Sequence, residues 1–275
     1  MNVFGEGRSK TSGPRGPRGF PGKDSTIKDF CTWLPNTLLK QLQDYEEACY
    51  VLDYDNPEND IKRQGRLINE WKSRNAKKGN LVAIKPSSTL IKTRGGQHAV
   101  QFKNNLYQYK NWFAIHSIEG YGYICLTFKT ESDEEQALLT NYAQKDPLKM
   151  FHEISVSANE INVYGYMHDT VFRALILHNC REWTTLFIEY TNHDGIYNTE
   201  FTYTIDGNEA TEGSFIFQRA MATRSGGEIG GRKDGTKSFV GAIHALETYF
   251  TDSPKPIPKQ VKQLVIKKQL IRREH

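Results

Sequence analysis

Hydrophobic and polar positions alternate through most of the chain beyond residue 80. Runs such as Leu81–Ile84, Thr89–Thr93, Ala99–Phe102, Tyr121–Lys129, Gln136–Leu139, Ile154–Ser157 and Ile161–Tyr164 are short and are separated by Gly, Asn, Asp or Ser. The same pattern continues in Trp183–Tyr190, Glu200–Ile205, Ser214–Phe217, Glu228–Gly230 and Phe239–Tyr249. Period-two alternation broken by turn residues predicts β-strands with one face on a core. Asp206-Gly207 follows an alternating run and predicts a two-residue hairpin, with a weaker signal at Ala158-Asn159. So many short strands predict two packed antiparallel sheets rather than a parallel sheet with crossover helices. Beyond Pro254 and Pro256 the spacing of Ile257, Val261, Leu264, Val265, Lys268 and Ile271 predicts a closing helix, its basic side from Lys259 to Arg273 left in solvent.

The first eighty residues follow other periods. Leu38, Leu42, Tyr45, Cys49 and Leu52 recur at steps of three and four, with Pro35 in the first turn, and predict an amphipathic helix of roughly four turns. Ahead of it, glycine occupies every third position through Gly13, Gly16, Gly19 and Gly22, with Pro14, Pro17 and Pro21 between. A collagen triple helix requires that period, because only glycine fits at its crowded axis. The stretch reads as the end of a collagen-like stalk or as a Gly/Pro-rich tail that shares the period. A stalk implies a homotrimer, and the helix is then either a neck that sets three chains in register or an element that docks on the following domain. Residues 53 to 80 read as a polar connection. The expected organisation is a stalk end over residues 1–24, a helical neck and linker over 25–80, and a sandwich with its closing helix over 81–275.

Composition removes some functions. The 36 Lys+Arg against 32 Asp+Glu leave a net charge of +4, and no aromatic is interleaved with the basic C-terminal residues, so a nucleic-acid partner is not expected. No window approaches the ~18 apolar residues needed to span a bilayer. Residues 2–12 lack the apolar run of a signal peptide, which implies either a protein assembled inside a cell, such as a virion component, or a fragment of a longer secreted chain. Four Cys are too few for a disulfide-stapled scaffold. Cys31 and Cys49 flank the helical segment and could pair with each other or between chains, whereas Cys125 and Cys180 read as buried thiols.

The segments Trp183–Tyr190, Phe201–Gly207, Ile229–Gly235 and Phe239–Tyr249 together resemble the last half of a laminin G or concanavalin A-like domain. The resemblance implies an all-β jelly-roll β-sandwich in which Trp183 opens a strand, Gly230, Gly231 and Gly241 allow close backbone approach, and Trp183 and Phe239 lie largely in the core. It extends over residues 120 to 250 and more loosely over 81 to 119, and it does not fix a function, because this sandwich carries lectins, adhesion modules, glycosidases and spacers.

Catalytic constellations are missing. No strand carries two carboxylates at period-two spacing as a glycosidase requires, and the acidic run Glu131–Glu135 reads as a solvated turn. The eight His show no metal-binding spacing, and neither a Gly-x-Ser-x-Gly elbow nor a phosphate-cradling glycine loop is present. No enzymatic activity is expected. The resemblance raises calcium at a rim loop, with Asn192-His-Asp194-Gly195, Asp206-Gly-Asn208 and Lys233-Asp234-Gly235 as candidates, but none has the dense oxygen ligands of a dedicated site, so no cofactor is expected. Binding is expected at rim loops, through Asn192, Asp194, Asn208, Lys233 and Asp234, with Tyr107 and Trp112 as stacking surfaces for sugar rings. Tyr109, Tyr142, Tyr164 and Tyr166 are further aromatics that could stack, with core packing the other reading for most of these aromatics. The expected function is a trimeric adhesion or glycan-recognition protein, extracellular or on a virion surface, whose partner is a glycan or a cell-surface protein. The other reading is a purely structural head that registers and terminates a collagen-like rod.

Overall fold

The computed structural model describes residues 36–46, 48–52, 56–74, 79–85, 89–92, 98–109, 120–142, 150–167, 170–193, 198–218 and 226–274. The Gly-X-Y glycines Gly13, Gly16, Gly19 and Gly22, together with Cys31, Trp112 and Asp194, lie outside these residues.

Two antiparallel sheets form a sandwich. The first contains β1 (Ala48–Val51), β5 (Thr89–Lys92), β6 (His98–Lys103), β8 (Gly120–Thr130), β13 (Thr184–His193), β14 (Asn198–Ile205), β15 (Asn208–Gln218) and β17 (Val240–Thr251). Its order is β15-β14-β13-β8-β17-β6-β5, with β1 also paired to β17. The second contains β2 (Ile61–Gln64), β3 (Leu67–Trp71), β4 (Leu81–Lys85), β7 (Leu106–Tyr109), β9 (Gln136–Tyr142), β10 (Met150–Val156), β11 (Glu160–Met167), β12 (Thr170–Leu177) and β16 (Gly227–Ile229). Its order is β12-β11-β10-β9-β16-β7-β4-β3-β2.

Period two on β8 explains both of its surfaces. Ile124, Leu126 and Phe128 enter the core between the sheets, where they meet Ile154, Val156, Ile161 and Val163 of the second sheet. Tyr121, Tyr123 and Cys125 point the opposite way, into a second apolar cluster with Phe187 and with Val261, Leu264 and Val265 of the closing helix α2 (Lys259–Glu274). Both faces of β8 are therefore apolar, and the helix covers what would be the wet side of the first sheet. No helix among the described residues is long and apolar enough to cross a membrane.

The Asp206-Gly207 turn forms as expected, with φ of 55° and 69° at its two residues. Positive φ at both positions is the backbone that matches the twist of the flanking strands. A second turn closes across Ala158-Asn159, with Ser157 N–H donating to Glu160 O at 2.9 Å. Gly230 sits at φ 95°, where an added Cβ would lie 2.6 Å from Asn105 O. Gly241 needs space rather than special torsions, since a Cβ there would lie 2.2 Å from Lys129 O.

Several expectations are corrected. The four-turn helix is a nine-residue α1 (Asn36–Asp44), and Ala48–Val51 is instead a strand on β17, in register from Ala48↔Thr248 to Val51↔Ala245. All four residues of β1 are buried, so pairing in the sheet overrides the helical spacing of Cys49 and Leu52. Residues 53–80 are no simple linker: β2 and β3 belong to the second sheet, and Ile61, Ile68 and Trp71 enter its core. Phe239 is fully buried against Phe102, but Trp183 is half-buried, one residue ahead of β13, with its ring edge on His244 and Lys129 Nζ 5.5 Å from its centre. Nor is the basic side of α2 wholly solvated. Lys268 is 3% exposed, and Lys262 lies 2.6 Å from Glu189 Oε2. Cys49, Cys125 and Cys180 are all buried.

Candidate functional site

The outer face of the second sheet has no described helix covering it. On β10, β11 and β12, Ile154, Val163 and Ala174 point into the core, so Glu153, Tyr164 and Arg173 point out. Cross-strand register sets them in one row, Arg173↔Tyr164↔Glu153, which continues through Thr140 of β9 to Glu228 of β16.

Glu153 is the centre of this row and is fully buried. The loop between β16 and β17 turns back over it. Arg232 donates from Nε at 2.6 Å and from a terminal nitrogen at 2.9 Å to the two carboxylate oxygens, and Lys237 Nζ lies 3.3 Å from Oε1. Ser155 Oγ donates to the same carboxylate at 2.6 Å. Bidentate guanidinium contacts fix direction as well as charge. Lys237 also reaches Glu135 Oε1 at 3.0 Å, and Tyr164 Oη donates to that oxygen at 2.8 Å. The Tyr164 and Tyr166 rings lie 6.0 Å apart with Lys237 Nζ 5.2 Å from the Tyr164 centre, and Arg232 reaches Tyr166 Oη at 3.4 Å. Beside them Arg173 Nε donates to Asn162 Oδ1 at 2.8 Å. Asn162 is fully buried, and its Nδ2 has no partner among the described residues.

Burial, followed by the Glu135 contact, pushes the Tyr164 phenol up to about 12. Burial also raises Tyr166. At Glu135 burial opposes ionisation, yet the hydrogen bonds from Lys237 and Tyr164 hold the carboxyl below its usual range. At neutral pH the site therefore offers an ionised acceptor at Glu135 beside two neutral phenols that can donate. The loop that carries Arg232 and Lys237 is itself braced, because Asp234 Oδ1 accepts from Thr236 N at 2.8 Å and from Thr236 Oγ1 at 2.6 Å. Those bonds hold the Asp234 carboxyl low.

The expected binding residues are only partly gathered here. Lys233 and Asp234 are exposed on the Arg232–Lys237 loop, at the border of the cluster, while Asn208 is exposed at the Asp206-Gly207 hairpin of the other sheet. Asn192 is a buried strand residue rather than a rim residue: it accepts from Thr199 Oγ1 at 2.7 Å and braces the β13–β14 hairpin. Tyr107 is not a stacking surface, since it is fully buried and its hydroxyl donates to Ile68 O at 3.1 Å. Glu135 is half-buried and engaged, unlike the solvated turn expected for its acidic run. Sequence reasoning named Tyr164 and Tyr166 but missed Glu135, Glu153, Arg232 and Lys237. Arg232 follows Gly230-Gly231 in a segment already singled out, which is the one local signal.

Glu46, Cys49 and Glu247 bring potential metal-ligand atoms within 4.8 Å of one another. A lysine already supplies the cation there, with Lys268 Nζ 2.9 Å from Glu46 Oε2 and 2.6 Å from Glu247 Oε2.

No protein-family model matches the chain, and no characterised protein matches it in sequence. Its fold has solved counterparts. Domain 4 of AbnA, an extracellular GH43 arabinanase from Geobacillus stearothermophilus, solved in complex with arabinotriose, is similar with a TM-score of 0.52 at 15% identity, over 80% of this chain and 97% of that one. The receptor binding domain of botulinum neurotoxin D is similar with a TM-score of 0.53 at 8% identity, over 83% of this chain and 54% of that one. An arabinofuranosidase complexed with arabinofuranosyl-alpha-1,2-xylobiose gives 0.51 at 10% identity, over 75% and 51%. The chain thus spans about half the length of the last two, and at these identities the likeness establishes an antiparallel sandwich fold.

Proposed function

We propose that this chain is a non-catalytic glycan-binding head whose binding surface is the outer face of the nine-stranded sheet. The observation that carries the reading is the pair of tyrosines, Tyr164 and Tyr166, set beside the linked charges of Glu135, Lys237, Glu153 and Arg232. Aromatic faces take the C–H side of a sugar ring, and fixed carboxylates and guanidinium groups take its hydroxyls. The fold's likeness to an arabinanase domain solved with arabinotriose supports the reading, as does its likeness to a toxin's receptor binding domain. Catalysis is not part of the proposal: the carboxylates of this cluster, Glu135 and Glu153, are both engaged by Lys237, and Glu153 by Arg232 as well.

The Gly-X-Y triplets extend the proposal to a laminin G or concanavalin A-like head carried in three copies on a collagen-like stalk, outside a cell or on a virion. Three weak sites on one rod gain by avidity. A glycan array probed with the full chain tests this: binding that Tyr164→Ala abolishes supports it, and a blank array with or without calcium overturns it. A purely structural head is the second reading. It draws on Val171, Leu175 and Leu177, which are 56%, 42% and 77% exposed along the edge strand β12 and offer an apolar stripe for protein contact.

A further inference from the structure

The charges on the binding face are already spent on one another. Arg232 and Lys237 both close on Glu153, Lys237 also on Glu135, and Arg173 reaches Glu160 at 3.4 Å. Among the described residues three cations thus face three carboxylates, and Glu228, buried in the same cross-strand row, accepts from Thr140 Oγ1 at 3.0 Å. At the loop tip Lys233 and Asp234 are both exposed.

We propose that this face selects uncharged, hydroxyl-rich oligosaccharides and discriminates against sugars that carry carboxylate, sulfate or phosphate groups. The inference rests on the glycan-binding reading and adds the class of sugar. An acidic sugar would need a cation of its own. Taking Arg232 or Lys237 would strip one of its two cations from the fully buried Glu153, which weakens the compensation of a buried charge. Left unmatched, the acid would face the carboxylates of Glu135 and Glu160.

A neutral sugar needs no such exchange. Its hydroxyls can donate to Glu135 and accept from Tyr164, Tyr166 and Arg173. The Asn162 amide, buried with Nδ2 unpartnered among the described residues, is a further donor on this face. Register sets Val171 beside Tyr166 and Leu175 beside Asn162, so exposed aliphatic carbon flanks the polar groups. That mixture suits a pyranose or furanose ring with one C–H face and a rim of hydroxyls.

The test is calorimetric titration of the full chain with matched pairs: lacto-N-tetraose against its sialylated form, and arabinotriose and xylotetraose against tetragalacturonate. The expected result is that a neutral member binds about tenfold or more tighter than its acidic counterpart, with an affinity that barely responds to salt. Glu135→Gln, which releases one contact of Lys237, should narrow that gap. An acidic member that binds as well as the neutral one, with affinity falling as salt rises, would overturn this inference and leave the glycan-binding reading intact. Failure of neutral and acidic sugars alike would overturn both.

Discussion

Lys268 of α2 and Glu247 of β17 form an ion pair 2.6 Å long, with side chains only 4% and 0% exposed. The same ammonium lies 2.9 Å from Glu46, just beyond α1, so one buried charge joins the two helices to the first sheet. Two ions sealed from water are tolerable only while they hold each other.

Replacing Lys268 with Met should therefore cost about 3–5 kcal/mol, because it leaves buried Glu247 without its cation. The double variant Lys268→Met, Glu247→Leu should recover much of that loss. Urea unfolding of Lys268→Met, Glu247→Leu and the double variant measures it; losses that simply add would mean that the pair contributes no coupling.

His152 sets an acid limit on stability. Burial lowers its pKa from 6.5 to about 3, and its Nε2 lies 2.9 Å from Tyr190 Oη between the sheets. Between pH 6.5 and 3 the unfolded chain binds a proton that the folded one refuses, so this residue's contribution to stability is lost as pH falls through that window. The wild type should lose about 2 kcal/mol through this group between pH 7 and pH 5. His152→Gln should lack that component, whatever its stability at pH 7. Parallel pH slopes for the two proteins in urea unfolding would refute the assignment.

On the proposed glycan-binding face Tyr164 would make two separable contributions. Tyr164→Phe keeps the ring and removes the hydroxyl that serves Glu135, whereas Tyr164→Ala removes both. The Ala variant should weaken affinity for a neutral oligosaccharide about tenfold, the scale of one aromatic contact, and the Phe variant by less. Titration calorimetry distinguishes them.

The proposed stalk makes assembly depend on the glycine period. Light scattering on the full chain should give a trimer at micromolar concentration. Gly16→Ala or Gly19→Ala should loosen that trimer while the sandwich unfolds at an unchanged midpoint, because only glycine fits the axis of the triple helix. A monomeric mass for the unaltered chain would remove the stalk from the proposal.

The strands that the sequence declares are those whose alternation is undisturbed. β8, β11, β13, β14 and β17 carry apolar residues at every second position, and Asp206-Gly207 supplies its own turn chemistry. β1 was hidden because Cys49 and Leu52 also fit a helical spacing, which loses to the β17 ladder only once the sheet exists. β2 and β3 were hidden by Lys62, Arg63, Asn69 and Glu70, whose polarity outweighs the three core residues of that hairpin. The candidate site was less legible than the fold for a related reason. Tyr164 and Tyr166 announce themselves at period two, but Glu135, Glu153, Arg232 and Lys237 come from three separate segments, and their meeting depends on the registers of β9, β10 and β11 and on the folded loop ahead of β17.

The placement of β1 has a mechanical consequence. This four-residue strand shares the edge of β17 with β6, and its other edge is also bonded: Cys49 N–H donates to Ser73 Oγ at 3.2 Å, and Cys49 O accepts from Arg74 N–H at 2.8 Å. Tension applied to the N-terminal end of the chain enters through α1 and must tear β1 from both neighbours, together with the Glu46 to Lys268 contact, before it loads the core. A chain tethered at that end would yield first at this latch, shedding its N-terminal segment while the rest of the two sheets stays folded.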